Sequence, residues 1–188
     1  MKSPTEIIYL TGFMTSGKST IGPILANVFG WEFNDLDRVI EEQEGKSVVD
    51  IFETKGEEYF RNVEHDLLSK FSNNKNLILS LGGGTIASDR NLKILKSSGK
   101  IVYLKSSPEM IYQRIKNKID RPIFRDLVLS DNPQPQDFID RIEKYLTMRE
   151  PYYLQADIHI DTDQSSIGIT VDKLAKSLKR VLNENNKY

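Results

Sequence analysis

A chain of 188 residues has the length of a single domain able to bury a sizeable core. Its 38% hydrophobic and 28% charged residues are ordinary for a soluble globular protein, and a net charge of −1 supplies no global basic field of the kind that nucleic-acid binding uses. The absence of cysteine excludes a disulfide scaffold and thiolate metal sites, and it suits a reducing cytoplasm.

The opening stretch MKSPTEII is too short and polar to read as a signal peptide, and no apolar run in the chain approaches the roughly 20 residues of a membrane span. The first element is IIYL, residues 7–10, rich in β-branched and aromatic side chains and therefore a strand. After it comes TGFMTSGKST, and then apolar residues at helical spacing over 18–29. Residues 12–19 fit G-x-x-x-x-G-K-[ST]. Glycines allow the backbone to curl until several N–H groups face one phosphate, and the following helix turns its positive end to the same anion. Gly12, Met14, Thr15, Ser16, Gly17, Lys18, Ser19 and Thr20 are thus the candidate nucleotide contacts, with Lys18 on the β- and γ-phosphates and the Ser19 hydroxyl available to Mg²⁺. A glycine turn with a solvated lysine is the plainer alternative, and the strand-loop-helix setting argues against it.

A second strand is expected at 33–36, ending among Asp35 and Asp37, followed by short helices at 37–43 and 47–54 and a long one at 57–71. On the long helix Phe60, Arg61 and Glu64 share one side, with Phe52 on the helix before it. An arginine beside two phenylalanines could clamp a small carboxylate against an apolar wall. Core phenylalanines with a surface ion pair is the plainer reading of the spacing alone. The third strand, 77–81, runs into Gly82, Gly83 and Gly84, with no aspartate at its end. Three glycines in a row either form a flexible turn or let a ligand approach backbone N–H groups closely.

A helix at 88–96, a strand at 101–104 and a helix at 108–117 follow, the last with Ser107 as N-cap and Pro108 at its first position. Residues 121–137 are proline- and aspartate-rich without periodicity, the pattern of a mobile lid or a disordered insert, and they carry Arg121 and Arg125. Helices at 136–149 and 169–183 flank a last strand at 158–160. His65 is expected to face solvent and His159 to belong to the last strand, neither with a catalytic role. The alternation predicts an α/β fold: a five-stranded parallel sheet covered on both faces in a three-layer α/β/α sandwich of the P-loop NTPase type, with ligands at the carboxyl ends of the strands. The phosphate loop, Asp35, Asp37 and Gly82–Gly84 all fall there.

The segments GFMTSGKST, FNDLDRVIEEQEGKSVVDIFETKGEEYFRNVE, LSLGGGT, DRP and MREPYY, in this order over nearly the whole chain, resemble shikimate kinase. The resemblance implies one domain over residues 1–188 with a lid at about 118–137. It implies transfer of a phosphoryl group from ATP, with Mg²⁺, to the 3-hydroxyl of shikimate, a step of chorismate and aromatic amino-acid synthesis, in a cytoplasmic monomer without a nucleic-acid or membrane partner. It assigns Asp37 to the substrate hydroxyls as a catalytic carboxylate and Asp35, with Ser19, to Mg²⁺. It assigns Arg61 and Arg149 to the shikimate carboxylate, Gly82, Gly83 and Gly84 to a platform under the ring, and Phe52, Phe60 and Glu64 to the surrounding wall. Lys18 and Arg121, the latter from the lid, would close on the transferring phosphate and complete the catalytic set.

Thr15 stands where the family often has glycine, which is expected to stiffen the loop slightly. The adenine site is weakly marked, with Arg114 and the loop 161–164 as candidates. The alternatives are another small-molecule kinase of this architecture, such as a gluconate kinase, or a non-catalytic nucleotide-binding homologue.

Overall fold

The structure is a computed structural model that describes residues 7–118 and 122–185. Strand β1 (Ile7–Thr11) lies at the centre of a five-stranded sheet. It pairs in parallel with β3 (Leu77–Ser80) on one side, Tyr9 opposite Leu79, and with β4 (Lys100–Lys105) on the other, Tyr9 opposite Ile101. The edges are β2 (Glu32–Asp35), parallel to β3, and β5 (Ile158–Asp161), parallel to β4, so the spatial order is β2-β3-β1-β4-β5.

Side chains alternate across each strand, and the core divides accordingly. Ile7, Tyr9, Leu77, Leu79, Ile101 and Tyr103 pack under α2 (Leu36–Glu44), α3 (Val48–Phe71) and α4 (Asp89–Ser98). Ile8, Leu10, Ile78, Val102 and Leu104 pack under α1 (Lys18–Phe29) and α8 (Ile167–Asn185). A third cluster, Phe13, Ile111, Ile115, Phe124, Phe138 and Ile142, joins the phosphate loop to α5 (Pro108–Ile115), a 3₁₀ turn (Pro122–Phe124) beside α6 (Arg125–Val128), and α7 (Pro135–Tyr153). The expected three-layer parallel architecture is therefore present. Among the described residues no helix is long and apolar enough to cross a membrane.

Three local differences from the sequence reading have physical causes. Strand β2 stops at Asp35 because that residue caps α2, its Oδ1 accepting the backbone N–H groups of Asp37 and Arg38 at 3.1 and 3.4 Å. The helices expected at 47–54 and 57–71 are both present, as the two halves of α3, and they part as read at Gly56, whose φ of 83° and ψ of 168° no helix accommodates. Helix α7 does not end at Arg149 but runs on through Pro151 to Tyr153. Proline removes a helical N–H, but the fully buried Tyr153, stacked on Tyr103 at 4.9 Å between centroids, holds the last turn in place. Part of the stretch read as a lid or an insert is ordered as the 3₁₀ turn and α6, and Arg141 of α7 ties it down through the Ile123 carbonyl and Asp126 at 2.8 and 2.5 Å.

Candidate active site

The phosphate loop leaves the C-terminal end of the central strand and turns through positive φ at Gly12 (142°), Thr15 (61°) and Gly17 (103°). A Cβ on Gly12 would lie 2.5 Å from the Leu104 carbonyl oxygen, so only glycine lets the loop pass β4 there. Thr15 does more than stiffen the loop. A β-branched residue holds the left-handed conformation, at a cost on the order of 1 kcal/mol, and Arg114 Nη1 donates to its carbonyl at 2.9 Å. Lys18 Nζ donates to the carbonyls of Gly12 and Phe13 at 2.8 and 3.0 Å, spanning the mouth of the loop. Ser19 and Thr20, in the first turn of α1, are exposed.

A cavity of about 420 Å³ opens beside the loop, lined by Thr15, Ser16, Gly17, Ser19, Thr20 and Ile21 on one side and by Arg114, Lys118, Thr162, Ser165, Ile167 and Thr170 on the other. Arg114 and the 161–164 loop are thus brought to one place. Asp163 buttresses it, accepting from Ser106 Oγ and the Ser107 N–H at 2.6 Å each and from Arg114 Nη2 at 3.3 Å. Sequence reasoning missed Lys118, Ser165, Ile167 and Thr170, whose residue types carry no motif.

The three consecutive glycines lie across from this loop, and each is the seat of one charged side chain. A Cβ on Gly82 would lie 2.6 Å from Asp37 Oδ1, one on Gly83 3.3 Å from Arg149 Nη1, and one on Gly84 2.8 Å from Arg61 Nη2. Gly83 also sits against the phosphate loop, its Cβ position 3.7 Å from Met14 N. Removing three side chains from the strand end lets a carboxylate and two guanidinium groups converge next to the phosphate-binding backbone. The segment is held by Tyr153, whose hydroxyl donates to the Gly83 carbonyl at 2.5 Å, and by Asn91 Nδ2, which donates to the Thr85 carbonyl at 2.9 Å.

Arg61 stands over Phe60 and Phe52, 5.3 and 5.9 Å from the ring centroids, and the two rings are 4.8 Å apart. Both open readings of this segment hold in part. The phenylalanines belong to the core, but the ion pair is not a surface one, because Glu64 is fully buried and accepts Thr85 Oγ1 at 2.6 Å as well as Arg61 Nη1 at 3.1 Å. Arg149 lies over Tyr145 and Phe13 at 5.2 and 5.7 Å. His65 does not simply face solvent: it is half-buried, with Nδ1 2.7 Å from Asn91 Oδ1. His159 lies on β5, as expected, and is exposed. Arg121 lies outside the described residues.

Electrostatically the site is tuned at Asp37. Burial, then the negative charges of Asp35 and Glu64, push its carboxyl up to about 7, against the pull of Lys18 and Arg61. A carboxylate titrating near neutrality beside a phosphate loop is suited to accept a proton in catalysis.

The family model described as shikimate kinase matches residues 14–182. Shikimate kinase of Chloroherpeton thalassium is 42% identical over 100% of this chain and 99% of its own length, and that of Chlorobaculum tepidum is 43% identical over 93% and 91%. Among solved structures, shikimate kinase of Bacteroides thetaiotaomicron superposes with a TM-score of 0.82 at 30% identity, covering 95% of this chain and 98% of its own. The Acinetobacter baumannii enzyme, solved in complex with shikimate, superposes with a TM-score of 0.80 at 33% identity, covering 97% and 96%. A gluconokinase from Sinorhizobium meliloti 1021 shares the fold alone, at a TM-score of 0.59 and 14% identity. The chain belongs to the shikimate kinase family.

Proposed function

We propose a division of labour by which this chain, as a member of that family, transfers the γ-phosphoryl group of ATP to the 3-hydroxyl of shikimate. The observation that carries it is the seating of Asp37, Arg149 and Arg61 on Gly82, Gly83 and Gly84, beside the phosphate loop. Arg61 and Arg149 bind the shikimate carboxylate, with Phe52, Phe60 and Glu64 as the wall around it. The ring lies along the triglycine segment with its 3-hydroxyl at Asp37. Holding the acceptor in line with the phosphate supplies much of the rate in phosphoryl transfer, whose transition state needs positioning and charge stabilisation more than a strong base. Asp37 orients the hydroxyl and takes its proton late.

On the donor side the backbone of Gly12–Thr20, including Met14, Thr15, Ser16 and Gly17, cradles the ATP phosphates, and Lys18 exchanges its loop carbonyls for phosphate oxygens. Arg114 and Thr162 line the cavity beside the loop, and the adenine base is proposed to lie against them. Arg121 is proposed to close over the phosphates.

The donor set suits Mg²⁺. Among the described residues no group of three or more acidic or histidine side chains is arranged to hold a metal ion by itself, but Ser19 lies in the first turn of α1 directly after the loop, Asp35 ends β2, and the buried hydroxyls of Thr11, Thr15, Ser16 and Ser80 have no hydrogen-bond partner among the described residues. Mg²⁺ typically takes one or two protein ligands and completes its shell with water and phosphate oxygens. Ser19 and Asp35 would hold it, Asp35 through water, and when bound it neutralises charge on the transferring group. The proposal includes a single domain with a lid at 118–137, acting as a cytoplasmic monomer without a nucleic-acid or membrane partner. The net charge of −1 speaks against a nucleic-acid partner, and among the described residues no helix is long and apolar enough to cross a membrane.

ADP release measured with shikimate, with gluconate and without acceptor tests the reading. Turnover with shikimate alone is expected. Equal or greater turnover with gluconate would overturn the acceptor assignment, and ATP consumption indifferent to any acceptor would overturn transfer itself.

A further inference from the structure

Arg61 meets two carboxylates of different kinds. Nη1 donates to both oxygens of Glu64 at 3.2 and 3.1 Å. That partner is locked: its side chain is 1% exposed, Thr85 donates to it at 2.6 Å, and Thr85 is in turn held by the buried Asn91. The other edge of the guanidinium, Nε and Nη2, donates to a single oxygen of Glu57 at 3.2 and 3.1 Å. Glu57 is 65% exposed, and no other hydrogen bond holds it among the described residues. It is the first residue beyond the break at Gly56.

The Nε–Nη2 edge is one of the two through which an arginine pairs with a carboxylate in parallel, bidentate fashion. Glu64 takes up Nη1, so the edge left for a ligand carboxylate to pair with Arg61 in bidentate fashion is the one that Glu57 holds. We propose that Glu57 is a built-in competitor for the substrate carboxylate, pairing with Arg61 in the free protein and leaving it when shikimate binds. The inference rests on Arg61 being a ligand of the shikimate carboxylate. The exchange keeps the guanidinium paired at every stage, and Glu57 leaves into water, where an ionised carboxylate is well solvated. Arg61 itself stays in place, held by Glu64, by the Phe60 ring at 5.3 Å and by its seat on Gly84. Glu57 thereby sets shikimate affinity without touching shikimate.

Calorimetric titration of the ligand-free protein with shikimate, on the Glu57→Gln, Glu58→Gln and Arg61→Met variants, tests it. Glu57 and Glu58 are both exposed, so their variants keep the fold. Glu57→Gln is expected to tighten shikimate binding about two- to fivefold, the range that corresponds to an exposed ion pair, with kcat/KM rising alongside. Glu58→Gln, one residue further along the same helix, is expected to leave affinity unchanged. Unchanged or weaker binding in Glu57→Gln would overturn the inference, as would equal tightening in Glu58→Gln, which would mark long-range repulsion in place of competition. Arg61→Met separates the two layers. If it leaves shikimate affinity intact, the assignment of Arg61 fails; if it weakens binding while Glu57→Gln does not tighten it, only the competitor role fails.

Discussion

Asp37→Asn should make the protein slower and more stable at once. The carboxyl is pushed from 3.8 up to about 7, first by burial and then by Asp35 and Glu64. Ionising a carboxyl held that high costs on the order of 4 kcal/mol in the folded, ligand-free protein. The sign is set by linkage. A carboxyl whose folded value is raised binds more protons folded than unfolded between pH 3.8 and 7, so its contribution to stability falls as pH rises through that window and is least favourable above 7. Asparagine carries no charge and removes the penalty. Its amide is itself costly to bury, so about half of the gain should survive, roughly 2 kcal/mol or 4–8 °C in a chain of this size. Thermal melts of wild type and variant from pH 5 to pH 8 should show the variant's advantage growing with pH.

The same substitution should lower turnover about 10²-fold, near the low end for loss of a general base, since the proton leaves late. The amide also presents an N–H₂ where the carboxylate offered only acceptors, so shikimate affinity should fall moderately while ATP affinity holds. In wild type, kcat/KM, which reports ionisations of the free protein, should fall as pH drops below about 7. A variant no more stable at pH 8 than wild type, together with a flat kcat/KM across pH 7, would refute the reasoning.

Lys18→Met should abolish transfer while leaving the melting temperature nearly unchanged, because the lysine sits at the mouth of the loop, donating to loop carbonyls; near-normal turnover would contradict the phosphate-loop assignment. Arg149→Ala should weaken shikimate binding by about 2–5 kcal/mol, the cost of leaving a desolvated carboxylate short of a partner, with ADP affinity retained in the same titrations. Asp35→Asn should show a turnover defect that eases as Mg²⁺ is raised, whereas Asp37→Asn should not respond; the reverse pattern would exchange their roles. Gly84→Ala should keep the fold, since its φ is not in the left-handed region, yet push Arg61 off its seat and raise KM for shikimate several-fold with little change in KM for ATP.

The parts of the site that were legible in the sequence are those where backbone geometry dictates residue type. Gly12 and Gly17 need positive φ, and Gly82–Gly84 must lack Cβ atoms, so both loops announce themselves as glycine. Asp35 and Asp37 stand out as a pair of acids spaced by one residue at the end of the second strand, and the break at Gly56 follows from its helix-breaking character. The illegible parts act through tertiary contact. Nothing local distinguishes Tyr153, which carries α7 past Pro151 and pins Gly83, from any other tyrosine. Thr85 and Asn91 matter because α3, α4 and the triglycine segment meet there. Thr15 reads as an ordinary threonine until its φ of 61° is seen.

The central claim is that consecutive glycines seat the catalytic carboxylate and the two carboxylate-binding arginines beside the phosphate loop, so that the acceptor hydroxyl faces the phosphate. A crystal structure of the complex with shikimate, ADP and Mg²⁺ tests it most directly. The account predicts the ring lying along Gly82–Gly84, its carboxylate on Arg61 and Arg149, its 3-hydroxyl within hydrogen-bond distance of Asp37 and turned toward the nucleotide. A ring bound with its carboxylate at Asp35 and Lys18, or seated away from the triglycine segment, would contradict it.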